Sequence, residues 1–186
     1  MTPKQTRKPL SRDRVLRAAL KLADDGGLDA LSMRKLAQQL GVEAMSLYNH
    51  VGSKEDLLDG LVDLVFEEIE PPPSGVGWRT AMRRRAVSTR EALRRHPWAI
   101  GLMEARSKPG PASIALHEAV LKTLREAGFS LAETVHAYSV QDAYIYGFAL
   151  VENEQRIAQA VRGIRRVLET SLNGKQVATA AAERHP

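Results

Sequence analysis

Residues 31 to 62 read LSMRKLAQQLGVEAMSLYNHVGSKEDLLDGLV. Ser32 is able to cap a short helix from Met33 to Leu40 whose Leu36, Ala37 and Leu40 share a face, and Gly41-Val42 breaks it. The spacing predicts a second short helix from Glu43 to His50. Two short helices across a two-residue, glycine-containing break have the length and spacing of a helix-turn-helix. Ala37 is small where the second helix must pack closely, Gly41 permits the tight turn, and Leu36, Leu40, Val42, Leu47 and Val51 form a small core. The face left over, Ala44, Met45, Ser46, Tyr48, Asn49 and His50, meets DNA without introducing negative charge, and only Glu43 repels phosphate. Helix-turn-helix geometry also occurs as a packing unit without nucleic acid. A small helical enzyme or binding protein with a structural motif, and a DNA binder that senses no ligand, therefore stay open as alternatives.

Outward from this stretch the pattern remains helical. On the N-terminal side Val15, Ala19, Leu22 and Ala23 recur at helical spacing from Ser11 to Ala23, closed by Asp25-Gly26-Gly27. On the C-terminal side Ser53-Lys54-Glu55-Asp56 is a capping-box signature opening a helix with Leu57, Leu58, Leu61, Leu64 and Val65 inward. The run PPPSGVG, 71 to 77, is a connector, because three successive prolines cannot donate backbone bonds. Further helices are expected from Trp78 to His96, briefly from Pro97 to Met103, and from Ala112 to Ala127. Another is expected from a second capping box at Ser130 and Glu133 to about Asn153, and a last from Gln155 to Leu172, stopped by Asn173-Gly174. With apolar mass mostly Leu, Ala and Val and only 5% aromatic residues, the expected class is all-α. The expected domains are a DNA-binding unit at 1–56, of which 1–10 is a flexible arm, a helical regulatory and dimerisation unit at 57–174, and a flexible tail at 175–186.

The net charge of +5 is unevenly placed: residues 1–54 hold ten Lys or Arg against five Asp or Glu, and the remainder holds seventeen of each. A basic end beside a neutral body fits an end that meets a polyanion. The 186 residues contain no cysteine, which excludes disulfide scaffolds, Cys-ligated zinc and thiol catalysis and fits a reducing cytoplasm. The longest apolar stretch, Ala143 to Val151, is well short of the ~20 residues of a membrane span, so a soluble protein without membrane partners is expected.

The run quoted above closely resembles the DNA-binding domain of the TetR family of bacterial repressors, especially its tetracycline-repressor branch. Gly41, Leu47-Tyr48, His50-Val51 and Lys54 fall at that family's spacing, and RVLRAALKLADDGGLDA before them also fits, so the resemblance covers roughly residues 12–65. RHPWAIGLM (95–103) and AYIYGFALVENE (143–154) look like that branch's regulatory domain. The resemblance implies a three-helix unit whose third helix enters the major groove, a dimer formed through the C-terminal helices, and an effector pocket. Carried over by position, Ala44, Met45, Ser46 and Asn49 face base edges, Tyr48, His50 and Lys54 face phosphates, and Arg34 contacts backbone or an adjacent base. Tyr48 also suits a half-buried core site, and His50 a helix C-cap. The chain departs from the branch in leaving only a few residues between Asn153 and Ile157, where relatives often have more. Magnesium and pocket histidines assist ligand binding in the branch's founder, but His96, His117 and His136 are scattered here, and no metal or other cofactor is expected.

Trp98, Met103, His117, Tyr138, Gln141 and Asp142 form the expected effector set, since Tyr138, Gln141 and Asp142 share one helix face and bundles hold ligands in apolar pockets with a few polar groups. Core packing and dimer contact remain the competing roles. For the dimer, Ala137, Tyr144 and Val151 recur every seven residues, as do Val140 and Gly147, while Ile157, Val161, Ile164 and Leu168 form a second stripe; a four-helix bundle across a two-fold axis would bury both. Arg83-Arg84-Arg85 and Arg94-Arg95 read as a solvated helix face. Catalysis finds no support: His117-Glu118 starts like a zincin motif but has Leu121 at the second ligand position, and no nucleophile elbow, phosphate loop or dinucleotide fingerprint occurs. The expected protein is a ligand-responsive dimeric repressor of a palindromic operator, not an enzyme, with DNA, a small molecule and itself as partners.

Overall fold

Ser11 has extended backbone and its hydroxyl accepts from the Arg14 amide at 3.2 Å, so helix α1 starts at Arg12. The computed structural model describes residues 9–105 and 108–182, with side chains described throughout these except at Glu104, Ala160 and 164–182. Helix α1 spans Arg12–Ala30 and is interrupted at Gly27 (φ 71°), so the expected glycine break is present and one further turn follows it. Ser32 caps α2, Met33–Leu40, by accepting from the Lys35 amide at 3.2 Å. Gly41 ends α2 in the left-handed region (φ 68°, ψ 38°), and the Gly41 and Val42 amides return to the Gln38 and Ala37 carbonyls at 3.2 and 3.0 Å, the pairing of a Schellman motif. Helix α3 covers Ala44–Leu47, shorter than the expected Glu43–His50 because 48–50 continue as turns. Ser53 caps α4, Lys54–Glu67, through the Asp56 amide at 3.1 Å.

Beyond the proline connector come α5, Trp78–Arg95, α6, Ala99–Ala105, α7, Pro111–Glu126, and α8, Leu131–Ala182. The second capping box is reciprocal: the Ser130 amide donates to Glu133 at 2.7 Å and the Glu133 amide to Ser130 at 3.3 Å. The expected pair of helices Leu131–Asn153 and Gln155–Leu172 is instead one helix, which continues through Asn173-Gly174 and through 175–182, expected to be loose. No proline lies between Leu131 and Ala182, an interior glycine costs only about 1 kcal/mol, and the Ala-rich end has high helix propensity. Among the described residues no helix is long and apolar enough to cross a membrane.

The chain divides into two units, Met1–Ala149 and Leu150–Pro186, and the boundary expected after residue 56 falls within the first of them. Within the first unit the reason lies in α4. Leu57, Leu61 and Leu64 join Val15, Leu16, Ala19, Leu36, Leu47 and Val51 in one buried cluster, while Val62, Val65 and Phe66 join Leu93, Ile100, Leu116 and Ile145 in a second. A third cluster holds Ala81, Met82, Val120 and Leu124, with Ala137 and Tyr138 against it. The helix therefore belongs to both the DNA-binding helices and the body. Leu61→Ala should destabilise the first unit by about 2–5 kcal/mol, the usual loss for a fully buried leucine. Urea unfolding checks this, and a loss below 1 kcal/mol contradicts the packing described.

Candidate nucleic-acid interface and ligand cavity

Leu47 and Val51 are buried, and this pins α3 so that its other side faces outward: Met45 is 74% exposed, Tyr48 and Asn49 are exposed, and Ala44, Ser46 and His50 are half-buried. Arg34 on α2 and Lys54 at the start of α4 are exposed too. All eight residues expected at DNA thus reach the surface of the α2–α4 segment. Tyr48, 44% exposed, is not a core aromatic. His50 contributes its backbone carbonyl to the local framework.

That carbonyl accepts from Arg12 Nη1 at 3.1 Å, and the same guanidinium grips the Asp56 carboxylate through Nη1 and Nη2 at 2.8 and 2.7 Å. Asp56 also accepts from the Gly52 amide at 2.8 Å. The first residue of α1 therefore ties the end of the recognition segment to the first turn of α4. The Arg12 hydrogen bonds, with help from Gly52, hold the Asp56 carboxyl down to about 2 despite partial burial. This clamp was not legible as such. Arg12 counted only as basic charge, and Asp56 only as a cap; Arg12 lies 44 residues from its partner.

In the body, a cavity of about 330 Å3 is lined by Asp59, Val62 and Phe66 of α4, Met103 of α6, Lys108–Gly110, Ser113 and His117 of α7, and Tyr138, Asp142 and Tyr146 of α8. Four of the six residues expected to bind an effector line it. Trp98 does not, because its indole Nε1 donates to Asp24 at 2.8 Å and its ring packs against the first two clusters. Gln141 does not either: it accepts from Arg85 at 2.8 Å and donates to the Met82 carbonyl at 3.2 Å. A larger opening of about 650 Å3 lies at the end of α4 and along α5, but its lining of Glu68, Arg83, Arg84, Glu91 and Arg95 makes it a charged surface trough, whereas ligand pockets are mostly apolar.

Asp142 is held from behind by Arg85, 1% exposed, at 2.5 Å. The expectation that Arg83-Arg84-Arg85 forms a solvated face is corrected at Arg85, whose position is in helical phase with the buried Met82, Thr89 and Ala92. That phase was the available signal. Burial, followed by the hydrogen bond to Asp142, pushes the Tyr138 hydroxyl well above its ordinary value. Burial lowers His117, whose Nδ1 lies 3.3 Å from Ser113 Oγ and whose ring meets Tyr138 edge-on at 5.3 Å. Among the described residues no three His, Cys, Asp or Glu side chains assemble as a metal site, and His96 and His136 lie away from this cavity's lining.

Of the expected dimer residues, Tyr144 is 71% exposed and Val140 and Gly147 are exposed in the first unit, as are Val151, Ile157 and Val161 in the second. Ala137 packs within its own chain against the third cluster. The side chains of Ile164 and Leu168 lie outside the described residues.

Residues 15–61 match the family described as bacterial regulatory proteins, tetR family, and residues 70–176 match the tetracyclin repressor-like C-terminal domain. The chain belongs to the TetR family. An HTH-type transcriptional regulator of Saccharopolyspora erythraea is 38% identical to it over 92% of this chain and 73% of that protein. The HTH-type transcriptional repressor DrrR1 of Streptomyces coeruleorubidus is also 38% identical, over 87% of this chain and 60% of that protein, so the chain spans less than two thirds of that relative. Among solved structures, Streptomyces coelicolor ActR in complex with actinorhodin has a TM-score of 0.73 at 32% identity, over 80% of this chain and 71% of ActR. BioQ with its double-stranded DNA operator has a TM-score of 0.70 at 27% identity, over 87% of this chain and 98% of BioQ. As a TetR-family member the chain is a helix-turn-helix transcriptional regulator.

Two outcomes follow from the geometry. The Asp56 carboxyl is held below the ~3.9 of an unfolded chain, so its contribution is complete above about pH 4 and vanishes as pH falls towards 2. The stability difference between the wild type and Asp56→Asn, at most about 1 kcal/mol for so exposed a pair, should be constant from pH 7 to 5 and close below pH 4 in urea titrations. A difference independent of pH contradicts the clamp. Asp142→Ala leaves Arg85 buried and uncompensated and should cost about 3–5 kcal/mol, whereas Arg85→Met combined with Asp142→Leu should cost less. Equal losses in calorimetry contradict the pairing.

Proposed function

We propose that this TetR-family chain represses transcription by binding a palindromic operator as a dimer, and that a small molecule lodged in the 330 Å3 cavity releases it. The observation carrying this is the combination within one unit of an outward reading face at 44–50 and a lined cavity, joined through α4. The relatives support it: one is named a repressor, ActR is bound to actinorhodin and BioQ to its operator. Regulation of DNA, in the cytoplasm and without enzymatic chemistry, is the reading that family membership favours.

In this reading Ala44, Met45, Ser46 and Asn49 meet base edges, with Asn49 able to pair bidentately with adenine, while Tyr48, His50 and Lys54 meet phosphates and Arg34 adds a backbone or flanking contact. The exposed apolar side chains Val140, Tyr144 and Phe148, and Val151, Ile157 and Val161 further along α8, cover one another in the dimer. The two-fold axis relates the two recognition segments, as a palindrome requires. Met103, His117, Tyr138 and Asp142 face the effector, an uncharged or weakly polar molecule tolerant of aromatic contact, to which Asp59 and Lys108 of the same lining add polar contacts.

Binding to the duplex upstream of the protein's own gene, titrated with salt, tests the reading. Lys54→Ala should weaken binding to every sequence and lower the salt slope by about one, as loss of one phosphate contact does. Asn49→Ala or Ser46→Ala should instead relax base preference, by ~1–3 kcal/mol per bidentate pair lost. An unchanged slope for Lys54→Ala, or an unchanged preferred sequence for both other variants, contradicts the assignment.

A further inference from the structure

Among the described residues, His96 is the most enclosed histidine and has polar partners on both sides of its ring. It is 4% exposed, its Nδ1 lies 2.7 Å from Asp24 Oδ1 and its Nε2 lies 3.1 Å from Glu68 Oε2. Asp24 also accepts from the Trp98 indole at 2.8 Å, and Glu68 accepts from Arg95 Nε at 2.9 Å and Nη2 at 2.7 Å. Burial resists ionisation of Glu68, but the bonds from Arg95 and His96 outweigh it and hold its carboxyl below the ordinary value. These five residues come from three places: the DNA-binding helix α1, the end of α4, and the last residue of α5 with the turn His96-Pro97-Trp98 that follows it. Nothing in their spacing announces the cluster, since Asp24 and His96 stand 72 residues apart.

Apolar contact also crosses here, through Leu20 and Trp98, each of which packs against both the first and the second cluster. Apolar contact is non-directional, so even with α4 shared by both clusters it leaves small changes in the angle of α1 on the body cheap. Hydrogen bonds weaken steeply away from their preferred distance and direction. A buried ring that bonds a carboxylate on each side, with an indole fixing one carboxylate and a guanidinium the other, is therefore the directional element of this contact.

We propose that Asp24, His96 and Glu68 are positioning residues that fix the angle of the DNA-binding helices on the body, and that this joint sets which half-site spacing the protein selects. The proposal rests on the dimeric operator reading above. Successive base pairs along a strand are about 3.4 Å apart, so a DNA-binding head free to rotate slightly reaches half-sites displaced by one step. A fixed head rejects them. Base preference within a half-site belongs to 44–49 and is untouched, whereas spacing belongs to the joint.

The test uses the full chain and a half-site enriched by it from random duplexes, built into inverted pairs whose separation varies in single base-pair steps. Binding is read by fluorescence anisotropy for the wild type, Asp24→Asn, Glu68→Gln and the milder Trp98→Phe, which keeps an aromatic, though smaller, ring and deletes the indole hydrogen bond. The wild type should prefer one spacing by tenfold or more over its neighbours. In Asp24→Asn and Glu68→Gln that ratio should fall to threefold or less with the half-site sequence preference unchanged, and Trp98→Phe should lie between. An unaltered spacing ratio in Trp98→Phe and in whichever other variants fold, even with a general loss of affinity, overturns the proposal, because a merely stabilising network would weaken all spacings alike. A wild type indifferent to spacing overturns the dimeric operator reading itself, and the proposal with it.

Discussion

The burial of α4 on two sides is the constraint on which the rest of the first unit depends. In 14 residues this helix gives Leu57, Leu61 and Leu64 to the DNA-binding helices and Val62, Val65 and Phe66 to the body. Each such side chain contributes on the order of 1.5–3 kcal/mol when fully buried, so neither contact is readily surrendered. An acidic residue at each stage of the helix adds a directional tie. Asp56 at its start takes Arg12, Asp63 in its middle accepts from the Ser113 amide at 3.1 Å, and Glu68 at its end takes Arg95 and His96. Gly110 permits the middle tie, since a Cβ there would lie 2.3 Å from Asp63.

Function follows from where those ties lead. The first steadies the recognition segment, the second opens α7 beside the cavity lined by Ser113 and His117, and the third meets the turn between α5 and α6. A molecule that fills the cavity touches Val62 and Phe66, and these lie on the same helix as Lys54. In the proposed reading, ligand and DNA therefore bear on the same helix, and a coupling between them requires that each favour a different placement of it.

The reading helices were legible because local rules decide them: Ser32, Gly41 and Ser53 act on their own neighbours, and Leu36, Leu47 and Val51 pack within a few turns of one another. The surface residues of the recognition face followed by subtraction. Long-range polar pairs were not legible, because no local pattern links Arg12 to Asp56, Arg85 to Asp142 or His96 to Asp24. Trp98 and Gln141 were expected at the ligand, being amphipathic and central, but their half-buried polar atoms take partners in Asp24, Arg85 and Met82 instead. The expected break near Asn153 failed for the opposite reason. Asn153 and Asn173-Gly174 lie inside one helix, where no proline interrupts it and where an interior glycine costs only about 1 kcal/mol.

Amide hydrogen exchange along α4 under native conditions tests the shared-helix account most directly. If α4 belongs to both cores, the amides of Leu61 and Val65 exchange with the same opening free energy, equal to that of global unfolding of the first unit. If the amide of Leu61 opens together with those of α1 and α2 at a free energy several kcal/mol below that of Val65, the DNA-binding helices unfold apart from the body, and the account is wrong.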